Sequence, residues 1–472
     1  MTPEGNIMQP GRSLLALLCT VALLTTACSG STTPDNNTDN NTDNNGEPVP
    51  QTLELETVQN PNNALSYYVS WSTDAASTTS LEVDCGDEWN HTYSSEEMTT
   101  DHEVFVMGLW DGASCDLNAT SVAEGDVTST GEATLDVGPL PEFLPELDVT
   151  THVEGSVQPG WTLFNLTNDV DDIPLIIAIV DEQGRYRWYH QRATSRPGAD
   201  TDVRLTDKGI LVGGVRYGPH AALLDWQGSV LWNPGFEMHH HIMPYGEGQY
   251  LYLAISPDCP EVTANSLRVW DVEQAEIVDE YLSCEWIVPD EIRGDWDHLN
   301  SAEIFPDDPN AILVSSRNQN SLYKLDIQAE DSLWQLGVGG DFDMAEEDLF
   351  WQQHAPEFQD NGDILIFDNG MAGERESSRA IIVSYDEQAM TAEVVWEYSP
   401  DPVIFTPIWG DSDRMDNGNV LSTFGHRNAE LRSYIHEVTF EGDLVWALET
   451  PNGWGWYRSE RIAIPGGGSV VE

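Results

Sequence analysis

At 472 residues the chain exceeds the usual size of one domain, so a small unit beside a large one is expected, with length enough for a sizeable core. Its 81 acidic residues against 19 basic ones give a formal charge of −62, which excludes a nucleic-acid partner because nothing could neutralise the phosphates, and which favours solubility in salty water. With so few cations, any that gather near histidines point to an anionic ligand.

The N-terminus reads as an export signal over residues 1–28. Arg12 precedes an apolar run, Leu14 to Leu24, that is too short to span a bilayer and stops at Leu24-Thr25-Thr26-Ala27-Cys28. A cysteine after small residues at such a boundary resembles a bacterial lipobox, which predicts lipidation of Cys28 and a cell-envelope lipoprotein that meets the membrane only through its anchor. Residues 29–50 form a tether, since the repeat DNNTDNNTDNNG holds no apolar side chain to offset the entropy of ordering. Signal removal discards Cys19 and lipidation occupies Cys28, so Cys85, Cys115, Cys259 and Cys284 remain as an even set in an oxidising compartment. The simplest pairing is local, Cys85 with Cys115 and Cys259 with Cys284, and free thiols are the alternative.

Residues 51–140 hold short alternating runs such as SYYVSW (Ser66 to Trp71), SLEVDCG (Ser80 to Gly86), HEVFVMGL (His102 to Leu109) and SCDLNATSV (Ser114 to Val122). Such strands at short spacing predict a small β-sandwich that looks like a fibronectin type III domain. GPLPEFLP, Gly138 to Pro145, then leads into a linker over residues 141–157.

Residues 158–472 repeat a unit in which an apolar strand ends in an acidic residue, turns, and returns with an aromatic. The copies are IIAIVDEQGRYRWY (Ile176 to Tyr189), AALLDWQGSVLW (Ala221 to Trp232), LRVWDVEQAEIVDEY (Leu267 to Tyr281), LYKLDIQAEDSLW (Leu322 to Trp334), IIVSYDEQAMTAEVVW (Ile381 to Trp396) and IHEVTFEGDLVW (Ile435 to Trp446). Between them lie hairpins marked by Asn-Gly, as in EFQDNGDILIFDNG and DRMDNGNVLSTFG. Four strands per unit at this period predict an all-β chain whose larger part is a six-bladed β-propeller. A solenoid or a second sandwich would give the same strand pattern. The first copy lacks an innermost strand, so WYRSERIAI (Trp456 to Ile464) is expected to close the ring beside TLFNL (Thr162 to Leu166).

The chemistry falls at one place in three consecutive blades. His240 precedes Gly248 by eight residues, His354 precedes Gly362 by eight, and His298 begins the corresponding strand between them, so all three start a first strand. First strands line a propeller channel, and their leading ends meet at one mouth. Arg317, in SSRNQN, lies at the end of the second strand beside His298. A second candidate cluster, His426 and Arg427, belongs to the fifth blade, and Arg216 and Arg458 are expected to border the pocket. By contrast His91, His102, His152, His190 and His436 read as core or surface residues, as would the run His239-His240-His241 taken alone.

DWDHLNSAEIFPDDPNAILVSSRNQNSLYKLD, FWQQHAPEFQDNGDILIFDNG, GDSDRMDNGNVLSTFG, PGWTLFN and WYRSERI resemble the arylsulfate sulfotransferase family over residues 158 to 464. The resemblance implies that His354, in the WQQH-like motif, is a nucleophile that becomes sulfated, with His298, Arg317 and His240 beside it. Asn318 stands where histidine is common in the family, and Ala355 where a polar residue is frequent. Sulfuryl transfer spreads charge over three terminal oxygens, which the planar fork of an arginine suits, and a neutral imidazole can attack sulfur while a second histidine exchanges the phenol proton. No phosphate-binding glycine loop is present, so the expected donor is a phenolic sulfate ester with a phenolic acceptor, and no cofactor is expected. Two other readings use the same residues: a hydrolase or lyase with a metal on the three-histidine rim, and a surface-displayed propeller that binds without catalysis.

Overall fold

Runs rich in Val, Ile and aromatic residues, broken by Asn, Asp and Gly turns, fold almost wholly into antiparallel strands. The computed structural model describes residues 49–465 apart from 87–88, 169–174, 193–201, 214–220, 260–263, 288–293 and 427. The signal, the tether with Cys28, Arg216 and Arg427 therefore lie outside the described residues. No helix among the described residues is long and apolar enough to cross a membrane.

The N-terminal unit consists of Glu56–Gln59, Tyr67–Asp84, Asn90–Val106, Ser114–Ala123 and Val127–Asp136. The sandwich expectation is met only as far as an antiparallel β unit. All five strands belong to one hydrogen-bonded sheet, in which Tyr67–Asp84 runs 18 residues and breaks register with its neighbour between Ser72 and Ser77. Alternate residues of that strand, Tyr67, Val69, Trp71, Leu81 and Val83, point inward. Their core is continuous with Phe164, Leu166, Ile176 and Trp446 of the larger part, so the unit shares a core rather than owning one. Arg187 fastens the junction: its guanidinium donates to the carbonyl of Gly108 at 2.8 Å and lies 4.4 Å from the Trp110 ring centre. Cys85 and Cys115 form a disulfide at the end of this sheet.

Among the described residues the larger part holds six sheets. The second begins at Val203–Thr206, the third at His239–Pro244, the fourth at Leu299–Phe305, the fifth at His354–Phe358 and the sixth at Asp411–Arg414, each of these pairing in series with three later strands. Second strands such as Ile364–Asp368 and Val420–Phe424 are buried on both faces, which is why they read as unbroken apolar runs. The first sheet is completed from the far end of the chain. Ser459–Ile462 pairs with Trp161–Asn168, Ser459 opposite Phe164 and Ile462 opposite Trp161, and the backbone amides of Tyr457 and Arg458 donate to Asn165 Oδ1. Within the segment expected to be a linker, Asp148–His152 instead adds a fifth strand to the sixth sheet beside Leu444–Glu449. Cys259 and Cys284 are bonded within the third sheet region, with Cα atoms 6.1 Å apart.

Candidate functional site

Three inner strands share a local irregularity that carries their histidines. Pairing jumps between His239 and Ile242 in the third sheet, between Leu299 and Ser301 in the fourth, and between His354 and Glu357 in the fifth. Each jump places extra residues on the inner strand, a bulge that re-aims side chains. The backbone is left-handed at His240 (φ 58°), at His298 (φ 40°) and at Ala355 (φ 44°) next to His354. Non-glycine residues adopt that conformation at a cost, and here it falls at or beside the histidine in all three strands.

The bulges bring the rings together. His240 and His298 lie 4.9 Å apart between ring centres at a steep angle. Tyr457, from the closing segment, stands edge-on to both His240 at 5.9 Å and His354 at 6.0 Å. His239 Nδ1 lies 2.7 Å from His240 Nδ1, whereas His241 turns away, its Nδ1 accepting from Arg458 Nη1 at 3.2 Å. Burial, then the charge of Arg204, holds His241 well below the usual histidine range, so it stays neutral.

His354 is fully buried rather than lining a solvent-filled mouth. Its Nδ1 lies 2.7 Å from Asn369 Oδ1. The Asn369 amide nitrogen sits 2.6 Å from the carbonyl of Thr406 and 2.9 Å from that of Trp409, and because both can only accept, the amide orientation is fixed with Oδ1 toward the ring. His354 Nδ1 must then carry the proton. Nε2, with its lone pair, is buried and makes no hydrogen bond among the described residues. Burial holds the ring well below the usual histidine range, and the Arg317 charge pushes in the same direction. His298 is oriented differently: its Nδ1 lies 2.6 Å from the Asp295 carboxylate, leaving Nε2 for exchange with a ligand.

Arg317 stands at the end of the strand Asp308–Ser316, its amide donating to the carbonyl of His298 at 3.1 Å. Its guanidinium donates to the carbonyl of Pro407 at 2.6 Å and to Asn318 Oδ1 at 2.7 Å. Asn318 in turn donates to the Asp295 carbonyl, so this residue braces the Asp295 turn. Arg458 is a buried strut, bonded to Asp202 Oδ1 and to the Asn300 carbonyl, each at 3.2 Å, and it lines the cavity described below. One expectation needs correction. His426 follows the second strand of the sixth sheet, not the fifth, and burial lowers its pKa to about 4. Asn369, Asp295 and Tyr457 were not singled out from sequence. The only signal for Asn369 was its place in FDNG, just past the strand that pairs with His354.

Below the rings the channel opens into a cavity of about 410 Å³ lined by the carboxyls of Asp202, Glu303, Glu357, Asp411, Asp413 and Glu460. Arg204 and Arg458 hold Asp202 down at about 2, while burial pushes Asp411 up to about 7 and Glu357 to about 8. Among the described residues no group of three or more His, Cys, Asp or Glu side chains is arranged to hold a metal ion.

The sequence pattern of the family described as Arylsulfotransferase (ASST) matches residues 149–450. No curated protein matches significantly. Among solved structures, hydrazine synthase from Kuenenia stuttgartiensis is similar over 45% of this chain and 49% of its own, about half its length, at 11% identity and a TM-score of 0.29. AztD from Citrobacter koseri is similar over 68% of this chain and 94% of its own, at 12% identity and a TM-score of 0.26. An apocarotenoid oxygenase from Synechocystis is similar over 86% and 97%, at 9% identity and a TM-score of 0.26.

Proposed function

The chain belongs to the arylsulfotransferase family, and from that premise we propose that it moves a sulfuryl group from a phenolic sulfate ester to a phenolic acceptor through a sulfated His354. One observation carries the reading: Nε2 of His354 is a buried lone pair without a donor among the described residues. Such a group is costly unless an incoming partner engages it. In the first step Nε2 bonds to sulfur as the sulfur–oxygen bond to the aryl group breaks, and the departing oxygen takes a proton from His298. In the second, His298 takes the proton of the acceptor phenol, whose oxygen displaces Nε2 from sulfur. The ion pair between His298 and Asp295 supports this role by stabilising the imidazolium that must form. Arg317, whose charge acts on His354 more strongly than that of His298 or Arg458, supports charge stabilisation at the terminal oxygens of the sulfuryl group.

Brief exposure of purified protein to a chromogenic aryl sulfate without acceptor, followed by intact-mass measurement, tests the reading. The parent is expected to gain one acid-labile sulfuryl group that maps to His354, and His354→Ala to gain none. A label on another residue, or near-parental turnover by His354→Ala, overturns it. The N-terminal pattern further supports an envelope lipoprotein anchored through Cys28. Cys28→Ser is expected to leave the membrane fraction, and its retention there counts against the anchor.

A further inference from the structure

The reading above assigns His354 but leaves open why one ring nitrogen reacts and why the sulfated ring can give its group away again. We propose that Asn369 is the positioning residue that answers both. By accepting from Nδ1 at 2.7 Å, closer than the carbonyl of Gln352 at 3.2 Å, it makes Nε2 the only nucleophilic nitrogen, and as a neutral acceptor it leaves the Nδ1 proton in place after Nε2 bonds to sulfur. The sulfated ring is therefore a cation, from which Nε2 departs as neutral imidazole when the acceptor oxygen attacks. A carboxylate in the same place would draw that proton away and leave a neutral N-sulfated ring, a poorer donor.

The same short segment also serves the anion-binding side. The carbonyls of Thr406 and Trp409 fix Asn369, and the carbonyl of Pro407 between them holds Arg317. Residues 406–409, between the fifth and sixth sheets, thus set the nucleophile and its guanidinium in one frame. Ser378 Oγ ties the frame back, donating to the Asn369 carbonyl at 2.7 Å and accepting from the Thr406 amide at 2.8 Å.

This inference rests on His354 being the sulfated residue, and the test separates the two. With ¹⁵N-histidine labelling, the parent spectrum should show His354 protonated at Nδ1 and unprotonated at Nε2; the opposite tautomer overturns the proposal without any variant. In single turnover with a chromogenic aryl sulfate, Asn369→Ala should sulfate His354 at least about tenfold more slowly, since a wrong imidazole tautomer elsewhere costs up to about 10⁴. Asn369→Asp should form the sulfated protein yet pass the group to a phenol at least about tenfold more slowly than the parent. Parental rates of both steps in both variants overturn the role of Asn369 while leaving His354 assigned. A parent that takes no label overturns the assignment itself.

Discussion

Replacing Arg458 with Met keeps most of the side-chain volume and removes one buried charge, which isolates what that charge does. Arg458 is 4% exposed and reaches Asp202, His241 Nδ1 and the Asn300 carbonyl, each at 3.2 Å. Asp202, 1% exposed, keeps a second partner in Arg204 at 3.2 Å. Removing one partner of a buried ion pair costs about 3–5 kcal/mol. Because Arg204 remains, the lower end, about 3 kcal/mol, is expected. With an unfolding entropy of about 2.1 cal/mol/K per residue over roughly 400 ordered residues, this corresponds to a Tm lowered by about 3–4 °C. The pH dependence carries a second signature. Asp202 titrates at about 2 in the fold against 3.8 ordinarily, so its contribution, about 2 kcal/mol, is present above pH 4 and lost as pH falls through 2. The gap between parent and Arg458→Met in urea denaturation should therefore be widest between pH 5 and 7 and narrow toward pH 3. Asp202→Asn in the variant background should restore part of the loss. A difference below about 1 kcal/mol at pH 7, or a gap unchanged at pH 3, refutes the reasoning.

Cys259→Ser with Cys284→Ser opens a loop of sequence separation 25, and chain entropy sets the loss near 3.5 kcal/mol, measured by denaturation with and without reductant. His354→Ala should lose all labelling and about 1–3 kcal/mol of stability, because Asn369 Oδ1 is left buried without its donor; a larger loss measured in urea would mean that the ring also holds the inner strand. Arg317→Lys should still sulfate His354, more slowly by about 10²-fold in stopped-flow labelling, since charge survives while the planar fork is lost. Glu357 and Asp411 titrate at about 8 and 7 in the fold against 4.5 and 3.8 ordinarily. Groups raised in this way favour the fold while protonated, so Tm should fall as pH rises from about 5 to 8, and Glu357→Gln should flatten that slope. An unchanged slope in Glu357→Gln contradicts the protonated channel.

The larger part was legible because a propeller writes its geometry into the chain: a recurring strand, turn and aromatic such as Trp334 or Trp396 cannot be buried except against a neighbouring copy. The closing strand was legible for the same reason, since Trp161–Asn168 lacks an inner partner until Ser459–Ile462 arrives. Both cysteine pairs followed from proximity along the chain. The bulges that gather His240, His298 and His354 were not legible, because nothing in the residue types distinguishes a regular strand start from one that carries an extra residue. Nor was the burial of His354, which depends on Tyr457 and Asn369, residues distant in sequence. For Arg458 a sequence shows a cation near histidines but not that Asp202 already holds it. The layering of the small unit was not legible, since alternation along Tyr67–Asp84 gives the buried face and says nothing of whether five strands make one sheet or two.

The segment that closes the ring also carries Tyr457, which faces two of the histidines, and Arg458, which braces a third. The candidate site is thereby tied to the order of synthesis. A chain still emerging from a ribosome, or still threading through a pore, already owns every histidine and Arg317 yet lacks the piece against which they are set. The pocket is complete only when Ile462 lies beside Trp161. On the proposed reading, a truncated product that stops before Trp456 lacks Tyr457 and Arg458 and is expected to take no sulfuryl label.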